Sequence, residues 1–286
     1  MAKKHRRAVV ALTADQHINS TVGLLTGPVA LDDGGTYMPS KTQIFLARNW
    51  RSFWADVESI AGNDPIYAVF AGDLGDRGVN GSTQVVTKNE TTIIGMCIGI
   101  VEPVAQIADY VFIIRGTEAH TGQSASIEEA VARDIKNCEH CPDTGAATWF
   151  SLVADWGGAK FDGAHHFSMG SLPWTEHNAA NKLASETIMR YAELHEPLPA
   201  FVYRAHCHGF ADSGENFRSY GIRAVNLPAW TTRSTHGHKV APGNRLADIG
   251  GVIVEVEDGR IADVQAKLYR PATQTVWREK TRKTKS

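Results

Sequence analysis

Cysteine is scarce in this chain of 286 residues: four, at Cys97, Cys138, Cys141 and Cys207. Their spacing gives no disulfide framework of the kind that staples small secreted domains. Cys138-Glu139-His140-Cys141 has no second CxxC partner, so a closed four-ligand zinc site is not expected there. No apolar run reaches the ~18 residues that a membrane-spanning helix requires. The opening MAKKHRR leads into strand-like residues and not into the apolar stretch of a signal peptide. A cytoplasmic setting and no membrane partner are therefore expected. Charge of one sign is also lacking overall, with a formal net charge of −2. Its placement is uneven. Basic tails at about 1–7 and 277–286 contribute +4 each, which leaves the body at −10. Such a body excludes a broad basic nucleic-acid groove, while the tails leave contact with a polyanion open.

What is present reads as an α/β protein of ordinary globular composition, 43% hydrophobic and 21% charged. No repeat, low-complexity stretch or linker divides it, so one domain over 1–286 is expected. Ala8 to Ala14 and Ile66 to Ala71 read as strands, as do Tyr110 to Arg115, Lys160 to Ala164, Ala200 to Arg204 and Ile249 to Val256. The last is followed by a hairpin at Asp258-Gly259. Between the strands, Ser40 to Ala61 reads as a helix with Ser40 as N-cap and Gly62 past its end. Gln84 to Ala108 and His177 to His195 also read as helical. Ser126 and Glu129 suggest a capping box before a short helix. The Gly-rich stretch Thr21 to Pro39 is either a loop over a site or a simple connection. Trp149, Trp156, Trp174 and Trp230 are expected to pack, not to stack on bases.

Polar residues gather at the downstream ends of the strands. The first runs into Asp15-Gln16-His17 and the second into Gly72-Asp73-Leu74-Gly75-Asp76-Arg77-Gly78. The third runs into Gly116-Thr117-Glu118-Ala119-His120, the fourth meets His165-His166 and the fifth meets His206-Cys207-His208. Ligands of open α/β sheets bind outside the carboxyl ends of the strands. In extended backbone, Asp15/His17 and His206/His208 at i, i+2 would project to one side. Carboxylates and imidazoles converging in this way suit divalent metal. His236-Gly237-His238 is expected on a loop, at most as a substrate contact.

This set of motifs resembles the calcineurin-like metallophosphoesterases over roughly residues 8 to 256. The spelling Gly-Thr-Glu-Ala-His resembles that of phage and prophage members. The resemblance implies a four-layer α/β/β/α sandwich and a dinuclear metal centre. Asp15, His17 and His208 would hold one ion, His165 (in preference to the alternative, His166) and His206 the other, and Asp73 both. The family pattern has Asn after the glycine, where this chain has Thr117. Glu118 is expected to supply the missing oxygen, the alternative being that Thr117 takes the place while Glu118 faces away. His120 would be the leaving-group acid, Asp76 would orient it, and Arg77 would grip phosphate or lie as a surface arginine in a turn.

By the same resemblance the chain would be a metal-dependent phosphoric ester hydrolase. Two divalent ions, with Mn²⁺ the first to try and Fe or Zn²⁺ as options, would supply a bridging hydroxide to attack a phosphate mono- or diester. A nuclease acting on nucleic acid, or a non-catalytic scaffold retaining the fold, are the competing readings. The oligomeric state is not legible in the sequence.

Overall fold

Alternating strands and helices build two mixed five-stranded sheets that lie face to face. The computed structural model describes residues 6–79, 82–167, 178–234 and 247–271. In chain order the elements are β1 (Arg7–Thr13), β2 (Val29–Ala30), β3 (Thr36–Tyr37), α1 (Lys41–Ala61), β4 (Ile66–Ala71), α2 (Glu90–Ala105), β5 (Tyr110–Ile114), α3 (Glu118–Thr121), α4 (Ser126–Asp134), β6 (Ser151–Trp156), β7 (Ala159–Ala164), α5 (Asn178–Glu193), β8 (Phe201–Arg204), β9 (Ala211–Asp212), β10 (Arg223–Asn226), β11 (Ile249–Glu257) and β12 (Arg260–Tyr269).

The first sheet has the order β12-β11-β1-β4-β5 and the second β6-β7-β8-β10-β9. β1, β4 and β5 run parallel, with β11 and β12 antiparallel beside them. In the second sheet β7, β8 and β10 run parallel, and β6 and β9 close the edges antiparallel.

Strand alternation decides the layers. On β1, Val9 and Ala11 face the helices, while Val10 and Leu12 face the opposing sheet. Val69, Ile114 and Val254 of the first sheet meet Phe161, Phe201, Tyr203 and Val225 of the second in the core between them. Outside the first sheet, Leu46, Trp50, Phe53 and Val57 of α1 pack with Ile93, Cys97 and Val101 of α2 and Ile127 and Val131 of α4. Leu183 and Ala184 of α5 cover the outer side of the second sheet at Val202 and Ala224. The result is the four-layer α/β/β/α sandwich that the resemblance implies.

Local chemistry accounts for the element ends. Ser40 caps α1 by accepting from Gln43 N, and the Gln43 side chain accepts from Ser40 N. α2 starts at Glu90 and not at residue 84, because Asn89 caps it by accepting from Thr92 N. The glycines and Pro103 do not break α2, since Pro103 falls in its last turns. The capping box expected at Ser126 and Glu129 does not form. Ser126 donates to Glu90, and Glu129 is engaged by the incoming 147–148 segment and by Arg115. Thr21 to Pro39 contains the small β2–β3 hairpin. Trp156 and Trp230 are buried packing residues, whereas Trp174 lies outside the described residues.

Glu129 is the polar tie between α4 and the segment leading into β6. Its carboxylate accepts from Ala147 N, Thr148 N, the Thr148 hydroxyl, Arg115 and Arg133. Burial alone would raise its pKa, but these donors bring it down to about 2. A depressed folded-state pKa contributes stability that is present above the ordinary value of 4.5 and is lost as pH falls toward 2. Glu129→Gln is expected to lower unfolding stability by roughly 1–3 kcal/mol at pH 7. In urea titrations that deficit should shrink steadily between pH 4.5 and 2; a deficit independent of pH would contradict the assignment.

Candidate metal centre

The turns after β1 and β4 are zipped together by backbone hydrogen bonds. Asp15 N donates to Gly72 O at 3.0 Å, His17 N to Asp73 O at 3.0 Å and Ile18 N to Leu74 O at 2.9 Å, while Asp76 N donates to Ile18 O at 2.8 Å. The backbone here is not extended, which corrects the i, i+2 argument. Asp15, His17, Asp73, His206 and His208 have φ of 52°, 43°, 52°, 73° and 52°. Left-handed backbone at a non-glycine residue costs on the order of 1–3 kcal/mol and persists where its surroundings impose it. Gly72, at φ 87°, has no room for a Cβ, which would fall 2.3 Å from His165 Nδ1. Gly116 is likewise fixed by contact, since a Cβ there would meet Asp73 Oδ1 at 2.1 Å.

These turns bring side chains from both sheets together. Three groups, Asp15/His17/His208, Asp73/His165/His206 and His17/Asp76/His120, each offer donor atoms within 4.8 Å of one another. Asp15 Oδ1 lies 3.2 Å from His208 Nε2 and 3.9 Å from His17 Nε2. His17 Nε2 and His208 Nε2 are 3.1 Å apart. Asp73 Oδ2 lies 3.3 Å from His165 Nε2. His165 Nδ1 donates to Ala71 O at 2.7 Å, which leaves Nε2 directed at Asp73. The turn after β8 is tied to the first sheet as well, because His206 N donates to Asp15 Oδ2 at 3.1 Å.

The chemistry of this donor set fits a cation. Asp15 Oδ1 and His165 Nε2 are buried without a hydrogen-bond partner among the described residues, a costly state for polar atoms unless something bridges them. Behind two of the histidines a second group faces the outer ring nitrogen: Ala71 O accepts from His165 Nδ1 at 2.7 Å, and Asp76 Oδ2 lies 3.8 Å from His17 Nδ1. The chain therefore has the capacity to bind metal.

The electrostatics follow from the same crowding. Burial disfavours charge on His17, and the neighbouring His120 and His208 add repulsion, which lowers its pKa to about 4. Burial acts the same way on His165, but the carboxylates of Asp73 and Asp15 outweigh it and raise that pKa to about 10. Asp15 and Asp73 are held below the usual carboxylate range by His208 and His165 respectively, against the effect of burial. His120 is raised despite burial by Asp76, whose Oδ1 lies 3.3 Å from His120 Nδ1.

Two expected site residues are not brought to these groups. Glu118 is exposed, and its carboxylate accepts from Ser124 N at 3.2 Å. The reason is local: Thr117 starts the short helix α3, and the first turn carries Glu118 outward. Thr117 faces inward instead, with its N–H 2.6 Å from Asp73 Oδ1 and its hydroxyl 2.8 and 3.0 Å from the two carboxylate oxygens. Arg77 is about half exposed and pairs with Glu90 of α2 at 3.4 Å. His236 and His238 lie outside the described residues.

One residue carried no sequence signal beyond an acidic first helical turn. Glu128 of α4 is fully buried. Its Oε1 accepts from Leu74 N at 3.1 Å and its Oε2 from Gly116 N at 2.9 Å, so it joins the turns after β4 and β5. Burial, followed by the charge of Asp73, pushes it up to about 7. Only the topology, which sets the start of α4 under both turns, reveals it. Glu128→Gln replaces one accepting oxygen by a donor that faces an N–H. Urea unfolding should show a loss of roughly 1–3 kcal/mol, with weaker Zn²⁺ binding in calorimetry. Unchanged stability and unchanged binding would remove Glu128 from the support of the site.

No protein-family model and no curated protein sequence matches the chain. Among solved structures, it is similar to Vps29 of Entamoeba histolytica complexed with Zn²⁺, at 13% identity over 91% of this chain and 98% of that one, with a TM-score of 0.40. Vps29 of Cryptosporidium parvum is 16% identical over 93% and 99%, with a TM-score of 0.37. A metallophosphoesterase of Sphaerobacter thermophilus is 10% identical over 94% and 90%, with a TM-score of 0.39. These likenesses concern the fold. Vps29 recurs among the similar structures alongside a metallophosphoesterase, and a shared fold does not carry an activity. An activity no longer follows from the fold, and the hydrolase and phosphodiesterase expectations are withdrawn. Phage origin has no support among these structures either. What the chain shares with them is the layered architecture of the metallophosphoesterase type.

Proposed function

We propose that this chain is a non-catalytic, metal-binding scaffold in which two divalent ions clasp the two sheets together. Asp15, His17 and His208 would hold one ion, and Asp73, His165 and His206 the other, with Asp73 as the shared carboxylate. Mixed nitrogen and oxygen donors suit Mn²⁺, Fe or Zn²⁺.

The observation that carries this reading is the origin of the donors. Asp15 and His17 follow β1 and Asp73 follows β4, all in the first sheet. His165 follows β7, and His206 and His208 follow β8, all in the second sheet. Each three-donor set therefore draws on both sheets, and an ion in either set would join them. Two residues expected at the site are turned elsewhere: Glu118, expected as a metal ligand, toward Ser124, and Arg77, expected to grip phosphate, toward Glu90. Within a scaffold, Asp76 and His120 have a positioning role on the far side of His17.

A ligand that binds only the folded state at 100 times its Kd stabilises by about 2.7 kcal/mol. For a chain of this size that raises Tm by roughly 5–10 °C. Thermal melts with Mn²⁺ or Zn²⁺ against EDTA should show such a rise, while p-nitrophenyl phosphate and its bis ester show no turnover beyond metal alone. A Tm that ignores the metal would refute the clasp. Metal-dependent turnover that disappears in Asp73→Asn would refute the non-catalytic reading.

A further inference from the structure

The set Asp73/His165/His206 supplies three protein donors, and Zn²⁺ commonly takes four in a closed, structural site. Candidates for the fourth are limited by what surrounds the set. The Thr117 hydroxyl is already bonded to both oxygens of Asp73. Glu118 points away. His166 is different. It is exposed, and its ring centroid lies 5.0 Å from that of His165 and 5.4 Å from that of His206. His165 is edge-on to both neighbours, at 87° to His166 and 73° to His206. The three rings therefore form one cluster in which His166 and His206 are both exposed, and His166, whose nitrogens are not within 4.8 Å of the whole Asp73/His165/His206 set, would join it by turning its ring.

We propose that His166 is the fourth protein donor to the ion held by Asp73, His165 and His206, and that it closes the face through which solvent would otherwise reach that ion. The assignment rests on the two-ion reading above and deepens it. A closed coordination sphere is the structural type of metal site, whereas a site built for chemistry keeps an open position. An exposed imidazole suits the task, because its rotamer is free to follow an arriving ion while His165 stays pinned on Ala71 O. Binding requires the neutral imidazole, so any proton on the coordinating nitrogen leaves to solvent as the bond to the metal forms.

Calorimetric titration of the full chain with Zn²⁺, together with the visible spectrum of the Co²⁺-loaded chain, tests this. In wild type, two ions bind and the Co²⁺ spectrum has the intense bands of four-coordination. His166→Ala, an exposed position that leaves the core untouched, should weaken one of the two ions by at least about 10-fold, the scale seen even for residues behind the ligands. The other ion should keep its affinity, and part of the Co²⁺ intensity should be lost as water replaces nitrogen. Glu118→Ala should change neither. Two ions bound by His166→Ala with wild-type affinities and an unchanged Co²⁺ spectrum would overturn the role of His166 alone. A wild-type chain that takes up fewer than two ions would overturn the metal reading and this assignment with it.

Discussion

Asp15 and Asp73 are buried carboxylates on one sheet that face imidazoles of the other, and the remainder of the site is organised around that pairing. Each carboxylate is doubly committed. Asp15 Oδ2 accepts from His206 N while Oδ1 faces His208. Asp73 Oδ1 accepts from Thr117 while Oδ2 faces His165. One oxygen thus fixes a backbone turn and the other is directed into the cluster. Burying such groups is unfavourable unless their charge is matched. The histidines provide part of the match, and the orphaned Asp15 Oδ1 and His165 Nε2 mark where it is incomplete.

This arrangement explains why the backbone is strained where it is. Five left-handed residues, Asp15, His17, Asp73, His206 and His208, are the residues that form the two donor sets, with only His165 outside that conformation. Backbone hydrogen bonds of Asp15, His17 and Asp73 themselves join the turns after β1 and β4, His206 N is held by the Asp15 carboxylate, and Glu128 ties these turns to the one after β5. Apolar packing between the sheets supplies the rigid base, and the polar turns at one end of it carry the strain.

The sequence conveyed the strands and most of the side chains that converge at their ends for a physical reason. Strand-forming runs that end in acidic or histidine-bearing turns identify both the element and the edge on which the turn lies. Asp15, His17, Asp73, His165, His206 and His208 were legible in this way. Their conformation was not, because i, i+2 spacing suits a strand and a left-handed turn equally, and only long-range backbone bonds choose between them. The outward path of Glu118 was hidden because the decision belongs to the one-turn helix α3 and its bond to Ser124. β6 and β10 were missed because β6 alternates buried and exposed residues at a sheet edge and β10 is only four residues long. Activity was the least legible property, since it was inferred from a resemblance whose fold is shared by proteins of different names.

The central claim is that ions bound by these side chains join the two sheets, and amide hydrogen exchange measures that joining directly. Protection should rise together, on addition of Zn²⁺ to metal-free protein, at Asp15 and His17 on the first sheet and at Ala205 and His206 on the second, whose N–H groups are all engaged at the junction. Protection that rises on one sheet alone, or on neither, would contradict the account.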